Sequence, residues 1–334
     1  MSLSDQKPVI LYIGGAGRSG STLLEMMIGE MHGFLRAGEL TYIWERGFLE
    51  NQLCGCGRPF RECPFWGDVL ASSFGDLTEA EVRDIQKAKE KCCRLWSIPG
   101  IVNPEISGRT AKVKMNTYRS ALTRLYAGLW EIGGGRCIID SSKYPAEAFL
   151  LSGLTGVEVR YIHLVRDPRG VAFSWQRRKK RPEIHWRRAL MPRYPVAVTA
   201  VAWRVYNRLF EWIGAKSPEA YLRVQYEEMI TEPERVMRRI ALFVGFNCDS
   251  RNYISDGKIN FTTNHSVSGN PIRFKTGAVT LRNDDVWREK MRWWKRMLVS
   301  MLAGGMMNRY GYSRAPERHA HTSTRRKDPV RMEG

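Results

Sequence analysis

Long hydrophobic runs are missing from this chain. Nothing in it approaches the roughly 20 apolar residues that a membrane-spanning helix needs. A basic-then-apolar leader is missing as well: residues 1–7 are polar, and the first apolar run behind them reads as a strand, so a cytoplasmic protein is expected. Seven cysteines give no even disulfide framework, and a chain of 334 residues can bury a core without one. Negative charge is scarce: 34 acidic residues stand against 53 Lys and Arg, for a net charge of +19. That balance favours anionic partners, whether nucleic acid, a membrane surface or phosphate- and sulfate-bearing ligands, and it also suits a merely soluble surface. Part of the excess lies in 314–334, a polar, basic stretch without apolar periodicity that reads as a disordered tail. No internal repeat and no long linker divides the rest, so one domain over 1–313 with inserted helices is expected.

Apolar and β-branched runs at 9–13, 137–140, 157–165 and 221–224 read as strands, with 34–36 a weaker candidate. The first and third are largely apolar or β-branched rather than strictly alternating, as expected of parallel strands buried on both faces. Helical patterns lie between them at 21–31, 79–96, 114–132, 146–151, 168–178, 196–213 and 233–244. The alternation predicts a three-layer α/β domain around a parallel sheet, with ligands bound at the carboxyl edge of the strands. Trp287, Met291, Trp294, Leu298 and Met301 form a late stripe at helical spacing, which is expected to pack in the core.

The first strand runs straight into G-G-A-G-R-S-G-S-T-L, a glycine-rich turn opening a helix. Gly15, Gly20, Ser21 and Thr22 match a Walker A loop except that Ser21 stands where the lysine belongs. Backbone N–H groups and a helix N-terminus can still cradle a phosphate there, but no side chain grips a transferable γ-phosphate. Arg18 is the cation left in the loop. A nucleotide with a different anionic group at its 5′ end is therefore expected.

A second candidate anion site follows the strand at 157–165. Arg166 sits at the strand end, Asp167 can cap a helix that Pro168 opens, and Ser174 lies eight residues after Arg166. The arginine fork and the serine hydroxyl can converge on one phosphate; the competing reading pairs Arg166 with Asp167 and leaves Ser174 exposed. Residues 177–181 form the densest charge run, read as a solvated helix end from which Arg178 can reach toward the same phosphate.

Together these segments resemble the PAPS-dependent sulfotransferases, of the bacterial and tyrosylprotein type. Gly17-Arg18-Ser19-Gly20-Ser21-Thr22-Leu23 is similar to that family's 5′-phosphosulfate loop, and Arg166 with Ser174 to its 3′-phosphate motif. The segment around Tyr226 resembles the family's Y-E-D-L helix region, where the tyrosine lies near the nucleotide. Residues 265–273, ending in Arg273, resemble the H-x-x-x-G-N-P-x-R loop that closes over 3′-phosphoadenosine. The resemblance spans about 9–312 and implies a P-loop-like sulfotransferase fold, PAPS as donor and 3′,5′-ADP as product. It also implies a hydroxyl- or amine-bearing small molecule, lipid or glycan as acceptor, with neither metal nor nucleic acid required.

The resemblance also frames the search for a catalytic base. Glu39 follows the second strand, where tyrosylprotein-type members carry their catalytic glutamate; its other reading is a carboxylate placed at a helix N-terminus. At 140–145 the animal cytosolic members have a histidine base, and here Lys143 takes its place, so Ser141, Ser142 and Lys143 are expected to bind the sulfuryl group. His163, inside a strand, reads as a core histidine. Cys54, Cys56 and Cys63 have C-x-C-x6-C spacing without an evident fourth ligand, His32 being too far away in sequence to assign. Bacterial relatives carry such a segment, which implies a structural loop over 51–68 beside the acceptor cleft. Two other classes compete with the transferase: a P-loop kinase of small molecules, which Ser21 argues against, and a non-catalytic nucleic-acid binder, for which no recognition motif is present.

Overall fold

The computed structural model describes residues 7–246, 254–255 and 257–312; the tail expected over 314–334 lies outside them. Five parallel strands form the central sheet: β1 (Val9–Gly14), β2 (Phe34–Gly38), β3 (Cys137–Lys143), β4 (Glu158–Val165) and β5 (Tyr221–Gln225), in the order β2-β3-β1-β4-β5. A short antiparallel sheet is built from β6 (Ile254–Ser255), β7 (Lys258–Phe261) and β8 (Gly277–Thr280). The helices are α1 (Ser21–Gly29), α2 (Pro64–Phe74), α3 (Glu79–Cys92), α4 (Ile98–Val102), α5 (Arg109–Ile132), α6 (Pro145–Leu151), α7 (Pro168–Gln176) and α8 (Val196–Lys216). They continue with α9 (Tyr226–Thr231), α10 (Pro233–Val244), α11 (Val286–Lys290) and α12 (Trp293–Arg309).

Strand alternation sorts β1 between two cores. Ile10 and Tyr12 face a layer containing Leu122 and Leu125 of α5 and Phe210 of α8, while Leu11 and Ile13 face Leu24 of α1 and Met237 of α10. The sheet is thus covered on both sides, which explains why β1 reads as an apolar run rather than an alternating one. β1 has β3 on one side and β4 on the other, so the chain reverses its direction of travel across the sheet there. The crevice beyond the carboxyl ends of β1 and β4 is where an open α/β sheet binds its ligand.

Three local readings change. The helix after β4 ends at Gln176, and Arg177 is already extended, so the basic run is not a helix end. The late stripe is broken: Met291 and Arg292 leave helical geometry between α11 and α12. The rotation lost there puts Val299, Ala303 and Met307 inward, so Trp287 and Met291 are buried but Trp294 and Met301 are exposed. Helix α2 is absent from the sequence reading because Gly67, Ser72 and Ser73 blur its periodicity.

His163 is the expected core histidine. Its ring nitrogens lie 2.6 Å from the Tyr221 hydroxyl and 2.7 Å from Asn207 Oδ1, and burial pushes its pKa down to about 4. The unfolded chain then binds this proton before the folded one, so His163 costs stability as pH falls from about 6.5 through 4. Unfolding titrations of wild type and His163→Gln should show the wild-type advantage shrinking by about 3 kcal/mol over that range. A pH-independent difference would contradict the buried neutral state.

Candidate active site

The turn after β1 is shaped by its backbone. Gly20 caps α1 in the left-handed region, φ 98°, where a Cβ would run into the Tyr226 ring. No side chain caps α1, so its first N–H groups open into the crevice. Arg18 is left-handed too, φ 71°, and its guanidinium lies 4.7 Å from the Trp175 ring centre and 2.7 Å from Met191 Sδ. Its Nε is buried without a partner among the described residues.

Arg166 leaves β4 toward the same turn. Its Nη1 donates to the carbonyl of Arg18 at 3.2 Å, and its guanidinium lies 4.2 Å from the Tyr226 ring centre. Trp203 of α8 fixes the strand end by donating to the Arg166 carbonyl at 2.9 Å, and Trp175 donates to the carbonyl of Gly17 at 3.2 Å. Asp167 does not pair with Arg166: it caps α7 through Arg169 N–H at 2.8 Å and binds the Arg169 side chain at 2.6 Å. Among the described residues the carboxylate paired with Arg166 is that of Asp284, at 3.2 Å.

The third corner is the ends of β2 and β3. Glu39 is 8% exposed, and its Oε1 accepts from Lys143 Nζ at 2.5 Å. Gly38, φ 86°, lets the backbone of Val267 lie against the end of β2, with Glu39 N–H donating to the Val267 carbonyl at 2.7 Å.

These corners enclose one cleft of about 590 Å³. It is lined by Gly17, Arg18, Gly20, Ser21, Thr22, Glu39, Lys143, Arg166, Ser174 and Tyr226, ten of the sequence-selected residues. Five others do not line it. Ser19 is buried behind the turn. Ser141 is spent on Glu25, to which it donates at 2.6 Å, and the neighbouring Ser142 accepts from Thr41 N–H at 2.9 Å and donates to Asp140. Neither serine is therefore free for a sulfuryl group, as had been expected of them; burial meanwhile pushes the pKa of Asp140 up to about 7. Arg178 is exposed; because the chain beyond Gln176 is extended, Lys179 turns inward instead, and burial followed by the nearby Arg18 pushes its pKa down to about 8. Arg273 is 1% exposed and donates to the carbonyls of Ser266 and Leu53, holding the 264–273 loop from behind.

Sequence reasoning missed Lys179 and Asp284, and also the far wall of the cleft, where Met191, Tyr194, Val198 and Tyr206 form a largely apolar lining. Its signal was present in α8 as an apolar helix wider than one core needs. His265 was read as part of a nucleotide-closing loop; the structure puts its Nδ1 3.2 Å from Cys63 Sγ, supplying the fourth side chain that the cysteine spacing lacked.

Among known proteins, a sulfotransferase-domain family model matches residues 147–276. A solved sulfotransferase domain from the curacin biosynthetic pathway aligns over 92% of this chain and 99% of its own, at 16% identity and a TM-score of 0.51. The sulfotransferase domain of the Synechococcus PCC 7002 olefin synthase aligns over 92% and 97%, at 21% identity and a TM-score of 0.47. Comparison with curated protein sequences gives no match. The matched model spans β4, α7 and the Arg166–Ser174 segment, and the curacin-pathway domain shares the fold over nearly the whole chain. The resemblance read from the motifs holds: this is an α/β chain with the sulfotransferase fold. Among the described residues no helix is long and apolar enough to cross a membrane.

Proposed function

We propose that this chain, with its sulfotransferase fold and sulfotransferase-domain match, transfers a sulfuryl group from PAPS to a hydroxyl or amine of an acceptor held against the apolar wall of the cleft. One observation carries the reading: Arg166 hydrogen-bonds directly to the carbonyl of Arg18, so two anion-receiving segments far apart in sequence share one cleft with Glu39. A donor bearing anionic groups at both its 5′ and 3′ positions suits that pairing. A nucleoside triphosphate suits it less, because Ser21 replaces the lysine that would hold its γ-phosphate.

PAPS supplies the transferable sulfuryl group and a phosphate that leaves with the bond electrons. The N–H groups of α1, with Ser21 and Thr22, receive the 5′ group, and Arg18 meets the charge that grows on the bridging oxygen as the S–O bond breaks. Arg166 and Ser174 hold the 3′-phosphate, and Tyr226 supports Arg166 from beneath. Glu39, oriented by Lys143, takes the proton from the acceptor as its oxygen or nitrogen attacks sulfur in line. The protein mainly positions groups and stabilises charge, as in phosphoryl transfer.

Thermal-shift measurement tests the donor. 3′,5′-ADP should raise the melting temperature well beyond ATP, 5′-AMP or an oligonucleotide at equal concentration. Equal shifts for all four would remove the assignment.

A further inference from the structure

Cys54, Cys56, Cys63 and His265 bring their ligating atoms within 4.8 Å of one another, well outside the chemistry of the cleft, whose lining includes none of them. Cys56 Sγ and Cys63 Sγ are 3.8 Å apart, too far for a disulfide. Cys54 Sγ and Cys63 Sγ lie 3.9 and 3.2 Å from His265 Nδ1. Tetrahedral zinc with its usual bond lengths sets sulfur–sulfur edges of about 3.8 Å and sulfur–nitrogen edges of about 3.6 Å. The four atoms thus already stand near the corners of such a site.

The surroundings hold that geometry. Cys54 and Cys56 sit on a tight turn in which Cys54 N–H donates to the Arg58 carbonyl at 2.8 Å and Gly57 N–H to the Cys54 carbonyl at 2.9 Å. Phe65 stacks on the His265 ring at 4.9 Å and 20°, and Trp66 Nε1 donates to the His265 carbonyl at 2.7 Å. Cys54 and Cys63 are each 1% exposed. Three thiols and an imidazole packed this way, unbridged, form a soft tetrahedral donor set with no open position.

We infer that Cys54, Cys56, Cys63 and His265 bind one structural zinc ion that fastens the 264–273 loop to the cysteine turn. The position of the loop explains what the ion achieves. Gly55 N–H donates to the Ser266 carbonyl at 3.0 Å, Val267 pairs with the end of β2 beside Glu39, and Asn270 N–H donates to Thr22 Oγ1 at 3.2 Å. One ion would therefore fix, through a single loop, the backbone beside both Glu39 and the start of α1. Because the site is closed, it takes no part in sulfuryl transfer.

The full chain, purified under reducing conditions without chelator, should carry one zinc per molecule by elemental analysis. Exchange for cobalt(II) should give the intense visible d–d bands and near-ultraviolet thiolate charge transfer of a tetrahedral sulfur-rich site. His265→Cys should keep one metal and shift those bands to lower energy, whereas His265→Ala and Cys63→Ser should lose most of the bound metal. Should the ligand-deleted variants fail to fold, the wild-type metal content and cobalt spectrum decide alone. A metal-free wild type with no cobalt–thiolate absorption, an iron–sulfur chromophore, or a Cys56–Cys63 disulfide in the reduced preparation would each overturn the inference.

Discussion

Glu39→Gln should lower acceptor turnover by about 10²–10⁴-fold at saturating PAPS while leaving donor affinity and melting temperature close to wild type. The substitution keeps the shape of a side chain that is almost wholly enclosed, and its amide can still accept from Lys143. What it removes is the ability to take the acceptor's proton. The neighbouring serines cannot stand in, because Ser141 and Ser142 are committed to Glu25 and Asp140. Lys143 and the Tyr42 and Tyr144 hydroxyls, 2.6 Å apart, are further polar groups at this corner. Near-wild-type turnover in Glu39→Gln would move proton transfer to the end of β3, from Asp140 to Lys143, and return Glu39 to the role of a positioning carboxylate.

Arg166→Ala should weaken 3′,5′-ADP binding on the order of 10–100-fold, the loss of charge-assisted hydrogen bonds worth roughly 1.5–3 kcal/mol, and barely change 5′-AMP binding. Asp284 sharpens the test. Its carboxylate holds Arg166 at 3.2 Å and Arg177 at 3.5 Å, so an incoming 3′-phosphate competes with it for the same guanidinium. Asp284→Asn should therefore tighten 3′,5′-ADP binding as Arg166→Ala loosens it. Calorimetric titration of both variants with both nucleotides measures the contrast. Equal losses for 5′-AMP and 3′,5′-ADP would detach Arg166 from the 3′ position.

The fold was legible wherever local pattern and tertiary role coincide. β1 read correctly because burial on both faces leaves a continuous apolar run, and α10 because Pro233 opens it and Gly245 closes it. The anion-receiving turn was legible because glycines mark positions that no other residue fills, Gly20 beneath Tyr226 among them. What escaped depends on distance along the chain or on helical phase. His265 lies 202 positions from Cys63, so no spacing rule could join them. Lys179 was hidden in a basic run whose inward member is decided by α7 stopping at Gln176. Ser141 looked like a ligand because it stands at a strand end; only the burial of Glu25 beside it shows where its hydroxyl goes. Asp284 carried no signal beyond a short acidic pair.

The backbone pairing of Val267 with β2 reaches beyond catalysis. β2 is an outermost strand of the sheet, and such a strand offers its free N–H and C=O groups to any extended chain that approaches. Val267 donates to the Ala37 carbonyl at 2.9 Å and accepts from Glu39 N–H at 2.7 Å, so the loop fills those positions itself. The segment that borders the cleft is thus also the guard of this margin of the sheet, and protects the molecule from pairing with its own copies.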